Sequence, residues 1–190
     1  IKQDETQNSL IKFNQIFKTS KKIMNLNKSD QYKFIPSSNN YLTLIDHKAS
    51  KLFLIKKVDV NLGINIDELK SIIDFKAKEA LWDDQEKQLL YYDNFEISNY
   101  NTERKKNHFI NRYGQEIKKV SWYPNLEHFV ILLENKLEII DTTQEAGSRN
   151  AITLIKFDQI DNFYLNRKGN VIYFNGQIGN QHGLYQLKLK

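Results

Sequence analysis

The stretch Ile117 to Asp141, IKKVSWYPNLEHFVILLENKLEIID, reads as three short strands in a row. The first ends on an aromatic (Val120, Trp122) and meets a turn at Pro124-Asn125. A dense apolar strand follows from Phe129 to Leu133, then a tight polar turn at Glu134-Asn135, then Leu137 to Ile140. β-Branched and aromatic residues fit a half-buried pleated surface, and Pro and Asn punctuate it. The stretch predicts an antiparallel meander.

The pattern recurs. SWYPNLEHFVILL aligns with ALWDDQEKQLLYY, NFYLNRKGNVIYF and YKFIPSSNNYLTL, placing Trp82, Tyr164 and Phe34 under Trp122 and Leu89, Val171 and Tyr41 under Phe129. Positions 34, 82, 122 and 164 are separated by 48, 40 and 42 residues. A period of about 40–45 with several strands per unit marks propeller blades. Helical repeats of that length need long stretches of 3.6 periodicity, which are missing here. The second strands (Leu89 to Tyr92, Phe129 to Leu133, Val171 to Phe174) are apolar without alternation, so both faces are expected to be covered, as in stacked blades. The fold class expected is all-β: a partial or small β-propeller of about four blades, each an antiparallel meander of three to four strands.

In chain order, 1–30 is read as outer strands of an incomplete preceding blade or a frayed N-terminus, with strands over Ser9 to Phe17 and Ile23 to Leu26. The blades are placed at 31–60, 77–112, 117–157 and 160–190. An insert at 61–76 is read as a short helix capped by Asn65, with Leu69, Ile72 and Ile73 on one face. Polar loops are expected over Thr142 to Asn150 and, in the last blade, over Gly176 to His182. That blade has strands Ile160 to Leu165, Val171 to Asn175 and Gly183 to Leu189 and lacks a fourth, for which residues 9–26 are candidates from the other terminus.

The 190 residues suit one domain or a piece of a larger protein. Cysteine is absent, which excludes disulfides, thiol catalysis and cysteine-ligated zinc. The net charge of +5 is spread over lysines that alternate with acids, a solvated surface rather than a nucleic-acid patch. No apolar run approaches the ~20 residues of a membrane span. The chain starts at Ile1 rather than Met, so an upstream segment is expected, and membrane contact is expected only through it.

Catalytic and metal motifs do not assemble. His47, His108, His128 and His182 occupy unlike repeat positions without partners at ligand spacing. Asp83-Asp84 is explained by turn chemistry. Asp59, Asn61, Gly63, Asn65 and Asp67 alternate like a calcium loop, but Ile64 stands where the Gly should be and Lys70 where the bidentate Glu should be. Trp82 and Trp122 are read as packing residues rather than exposed stacking platforms. No catalytic, cofactor or metal residue is assigned, and no cofactor is expected.

The rows SWYPNLEHFVILLENKLEIID, ALWDDQEKQLLYYDNFEISNYN and NFYLNRKGNVIYFNGQIGNQHGLYQLKL resemble the blades of the TolB-like and WD-repeat-like propellers. The usual Asp-Gly of the first turn is replaced by Asp84-Gln85, Pro124-Asn125 and Asn166-Arg167. More narrowly, LLYYDNFEI and KKVSWYP resemble the C-terminal propeller of PEGA-domain proteins of small-genome bacteria, without the PEGA modules. That resemblance implies a membrane-anchored, envelope-exposed binding or scaffold role.

The function expected is a non-catalytic protein-interaction or scaffold module of a larger, envelope-associated bacterial protein. The alternatives are the propeller portion of a prolyl-oligopeptidase-type peptidase whose catalytic domain lies outside this chain, or a carbohydrate-binding surface. In a meander, turns between second and third strands share one rim with the connections between blades. The candidate partner rim is therefore Asp93, Asn94, Gly114, Gln115, Glu134, Asn135, Gln181 and His182, facing a protein. Nucleic acid is disfavoured as a partner.

Overall fold

The computed structural model describes residues 1–3, 6–36, 41–56, 75–141 and 151–189. Among the described residues there is no helix, and every sheet is antiparallel. The chain divides into two compact units, Ile1–Lys78 and Glu79–Lys190.

The first unit holds two sheets. In one, β1 (Lys2–Gln3), β2 (Asn8–Asn14) and β3 (Thr19–Leu26) lie side by side in that order. In the other, β4 (Tyr32–Ile35), β5 (Tyr41–Asp46), β6 (Lys51–Lys56) and β7 (Phe75–Lys76) do the same. Leu10 and Leu26 of the first sheet pack with Leu44, Phe53 and Ile55 of the second.

The second unit holds three sheets. The first is β8 (Glu79–Trp82), β9 (Gln88–Tyr92), β10 (Glu96–Asn101) and β11 (Lys106–Arg112). The next is β12 (Lys119–Trp122), β13 (His128–Leu132), β14 (Lys136–Asp141) and β15 (Ala151–Lys156). The last is β16 (Gln159–Leu165), β17 (Val171–Ile178) and β18 (Gln181–Lys188). Each sheet follows chain order, the meander expected of a blade.

The middle sheet is covered on both faces because its second strand is apolar without alternation. Phe129 and Ile131 point to one side, into a core shared with Leu90, Tyr92, Ile97 and Ile110. Val130 and Leu132 point to the other, against Ile160, Phe163, Leu165, Ile172 and Phe174. Successive strand residues face opposite ways, so only a strand apolar at every position can feed two cores. Each such side chain contributes about 1.5–3 kcal/mol when fully buried.

The hairpin turn into the second strand is built alike three times. Asp83, Tyr123 and Asn166 donate their amides to the carbonyls of Gln88, His128 and Val171. Each turn then carries a residue of positive φ, at Glu86 (53°), Leu126 (60°) and Gly169 (76°). Trp82 pairs with Leu89, Trp122 with Phe129 and Leu165 with Ile172, each seven residues on.

That register corrects the alignment of the last row. Leu165, not Tyr164, is the counterpart of Trp122, and Ile172, not Val171, that of Phe129. A slip of one residue moves a side chain to the other face of the sheet; Tyr164 accordingly stands 64 % exposed while Leu165 is buried. Phe34 is not equivalent either: it pairs with Leu44, ten residues on, and is 47 % exposed.

Four further expectations are corrected. The loop read over Gly176 to His182 is mostly strand: β17 and β18 run up to a two-residue turn, Gly179-Asn180, where Gly179 takes φ 56°. Glycine first in a two-residue hairpin loop supplies the positive φ that a tight turn needs. Val171 to Phe174 is not covered on both faces: Ile172 and Phe174 are buried and Tyr173 is exposed, the alternation of a sheet with one open side. Ile16 and Phe17 do not continue a strand from Ser9. They sit in the turn 15–18, because the Asn14 side chain caps its amides. Phe75 is not in a helix but in β7, paired with Leu52. The rest of the expected helix, the calcium-like run 59–67 and the loop 142–150 lie outside the described residues.

Candidate interaction rim

In the two four-stranded sheets of the second unit, the turn from second to third strand lies at the end where the sheet is entered and left; in the three-stranded last sheet it lies at the end where the sheet is entered. A meander makes this obligatory, and specific bonds fix it here. Asp93 forms the first turn: its Oδ1 accepts the amides of Phe95 and Glu96, both at 2.8 Å, while its own amide donates to Glu96 O at 3.0 Å. Asn94 is exposed at the turn, and its carbonyl accepts from Ile117 N at 2.7 Å. The Phe95 carbonyl accepts from Tyr113 N at 2.8 Å. The connection carrying Gly114 and Gln115, both exposed, is thereby tied at each end to the Asp93-Asn94 turn.

The second turn is Glu134-Asn135, closed by Leu133 N donating to Lys136 O at 3.0 Å. Asn135 O accepts from Phe157 N at 2.9 Å, so this turn too is tied to the connection leaving its sheet. Lys118 then crosses between sheets. Its ammonium donates to the carbonyls of Glu134 (3.2 Å) and Ile160 (3.3 Å). Beside it, Lys119 donates to Asn162 Oδ1 and Phe163 O, both at 2.8 Å, and lies over the Phe163 ring. Burial holds the Lys119 ammonium below its ordinary pKa.

Gln181 and His182 open β18, beyond the Gly179-Asn180 turn. They reach the rim through Asp158: its Oδ2 accepts Gly179 N at 2.5 Å, its amide donates to Gln177 O at 3.0 Å, and it adjoins Phe157. The bonds thus join the Asp93-Asn94 and Gly114-Gln115 segments directly. Glu134 and Asn135 are linked to their neighbours through Lys118 and Phe157, and Gln181 and His182 through Asp158. Sequence reasoning missed Lys118, Lys119 and Asp158. A lysine in a first strand and an aspartate in a connection gain these roles only from the neighbouring sheet, though all three flank the turns that were read.

In the first unit, a cleft of about 510 Å³ is lined by Gln3, Asn8, Lys28, Ser29, Asp30 and Lys48. Its two buried polar side chains are already engaged: Asn8 Nδ2 donates to Ser29 O, and Ser29 Oγ to Asp46 Oδ1 at 2.8 Å. Asp46 Oδ1 also accepts the amides of Lys48 and Ala49. This is a hydrogen-bonded turn linking two sheets. Burial, with the Asp46 carboxylate beside it, pushes the Tyr32 hydroxyl up to about 12. Among the described residues no three side chains gather as metal ligands do.

No family model and no curated protein matches the sequence. Solved structures do match in fold. Oligogalacturonate lyase in complex with manganese superposes with a TM-score of 0.61 at 11 % identity, over 96 % of this chain and 54 % of that one. The β-propeller domain of Cps50 (Swd1) from Myceliophteria thermophila gives 0.57 at 10 %, over 84 % and 58 %. TolB from Acinetobacter baumannii gives 0.54 at 10 %, over 95 % and 46 %. The chain spans about half the length of these proteins. With the meandering sheets and their repeated turns, the likeness shows one thing: the chain is an all-β protein built of β-propeller blades.

Proposed function

We propose that this chain is a non-catalytic protein-interaction or scaffold module of a larger protein, and that its rim of turns is the docking surface. The observation carrying the reading is the rim's construction. Exposed Asn94, Gly114, Gln115, Glu134, Gln181 and His182 stand on turns and connections held by main-chain bonds and by Lys118 and Asp158. A pre-ordered polar surface loses little freedom on binding, which favours a protein partner. The likeness of LLYYDNFEI and KKVSWYP to PEGA-domain propellers supports an envelope setting for that partner.

Site-directed photo-crosslinking tests this. A photoreactive residue at Asn94, Gln115, Glu134 or Gln181 of the full-length protein in its native cell is expected to trap one common partner. The same residue at Arg104 or Arg167, on turns at the opposite strand ends, is expected to trap none. Equal trapping from both sets, or none from the rim, overturns the proposal.

A further inference from the structure

The β2–β3 hairpin combines two features that point to one kind of partner. From Gln7 to Ser29 the sequence has five lysines (Lys12, Lys18, Lys21, Lys22 and Lys28) and no acid. The chain's net charge is +5, so this segment carries the whole excess and the remainder balances to zero, which corrects the expectation that the excess is spread over lysines alternating with acids. At the hairpin tip, Ile16 and Phe17 are 84 % and 73 % exposed, and Phe13 just below is 58 % exposed. Lys18, Lys21 and Lys22 are exposed around them.

We propose that the Ile16-Phe17 tip inserts into the interface of an anionic lipid membrane, with Lys18, Lys21 and Lys22 lying against the headgroups. Apolar side chains at a tip enter the boundary between headgroups and acyl chains, and basic residues beside them add attraction to anionic lipid. Neither signal alone gives stable binding, and the hairpin has both. Its backbone is prepared for the transfer. Asn14 Oδ1 already accepts the amides of Ile16 (3.0 Å) and Phe17 (3.2 Å), whereas unpaired amides keep most loops out of a membrane. Nucleic acid would use the same lysines and stack on Phe13 or Phe17; Ile16, the most exposed of the three, has no flat face for a base and favours an apolar phase.

The test is flotation of the full chain with phosphatidylglycerol–phosphatidylcholine vesicles and with pure phosphatidylcholine vesicles. Binding to the first and not the second is expected. Ile16→Ser/Phe17→Ser is expected to weaken it at least tenfold, and Lys18→Gln/Lys21→Gln/Lys22→Gln by about a hundredfold, with circular dichroism unchanged. A Phe17→Trp variant adds a readout that keeps the tip apolar: brominated lipid should quench its extra fluorescence. Absence of binding to the anionic vesicles overturns the proposal. So does binding that survives the loss of Ile16 and Phe17, an added tryptophan that brominated lipid leaves unquenched, or retention on single-stranded DNA in place of vesicles.

Discussion

Tyr123 donates its hydroxyl to the carbonyl of Gly169 at 2.9 Å, and its ring fills the space that a Cβ on Gly169 would need. A Cβ there would lie 2.9 Å from Tyr123 Cζ and 3.1 Å from Pro124 Cδ, and Gly169 holds φ 76°. The contact locks the hairpin turn of the last sheet onto the turn of the sheet before it. Gly169→Ala combines left-handed strain with a steric clash and is expected to cost about 1–3 kcal/mol. Tyr123→Phe keeps the ring and loses one hydrogen bond, about 0.5–1.5 kcal/mol. Urea denaturation of both variants orders them; a Gly169→Ala protein as stable as the parent would remove this account of the turn.

Lys105 fills a strained position in another hairpin, at φ 51°, with its side chain exposed. Asn101 Oδ1 accepts Arg104 N at 2.8 Å and holds the turn without help from Lys105. The left-handed region costs an ordinary residue roughly 1–2 kcal/mol and glycine far less. Lys105→Gly should therefore stabilise the protein, by less than that figure because glycine also loosens the unfolded chain. Thermal unfolding checks it, and a lowered midpoint contradicts it.

Asp83 and Asn166 do the same work in two sheets. Asp83 Oδ1 accepts the amides of Lys87 (2.8 Å) and Gln88 (3.2 Å), and Asn166 Oδ1 accepts that of Val171 (3.1 Å). Burial raises the Asp83 carboxyl above its ordinary pKa, against the pull of the Gln88 and Lys87 amides. A raised folded-state pKa means that the charged form costs the native state stability, an effect absent below the unfolded value of about 3.9 and growing as pH rises through the folded one. Asp83→Asn keeps the acceptor and removes the charge. It should match or exceed the parent at neutral pH, with any gap closing in acid. Asp83→Ala loses the acceptor and should cost about 1 kcal/mol. An Asn variant no better than the Ala variant would show that the carboxylate charge itself matters.

These turns show what sequence reading can and cannot reach. The strands of the second unit were legible because Leu89 to Tyr92 and Phe129 to Leu133 are apolar at every position, and polar pairs such as Asp93-Asn94 and Glu134-Asn135 break them. Register was legible where a tryptophan stood seven residues before its partner. It was lost at Tyr164, because a tyrosine one place from Leu165 has the right chemistry on the wrong face. The alternation of Val171 to Gly176 was present in the sequence, yet apolar content alone hid it. Lys118 and Asp158 were out of reach in a different sense: their partners belong to other turns, and no local pattern announces a bond between sheets.

Three tyrosines give the last test. Burial pushes the hydroxyls of Tyr91, Tyr92 and Tyr113 up to about 12. In the unfolded chain they would lose their protons near pH 10, so between about pH 10 and 12 the native state binds more protons than the unfolded one. Stability therefore falls as pH rises across that window, and the contribution of these residues is intact below it. Chemical unfolding at about pH 9 and about pH 11 should show the drop. Tyrosinate absorbance should show a late rise from these residues that coincides with loss of sheet circular dichroism. Tyr92→Phe cannot ionise and should lessen the alkaline loss. A single absorbance step near pH 10 in a chain that stays folded would mean that water reaches these hydroxyls, and that the packing between β9, β11 and the sheet beginning at β12 is looser than their burial implies.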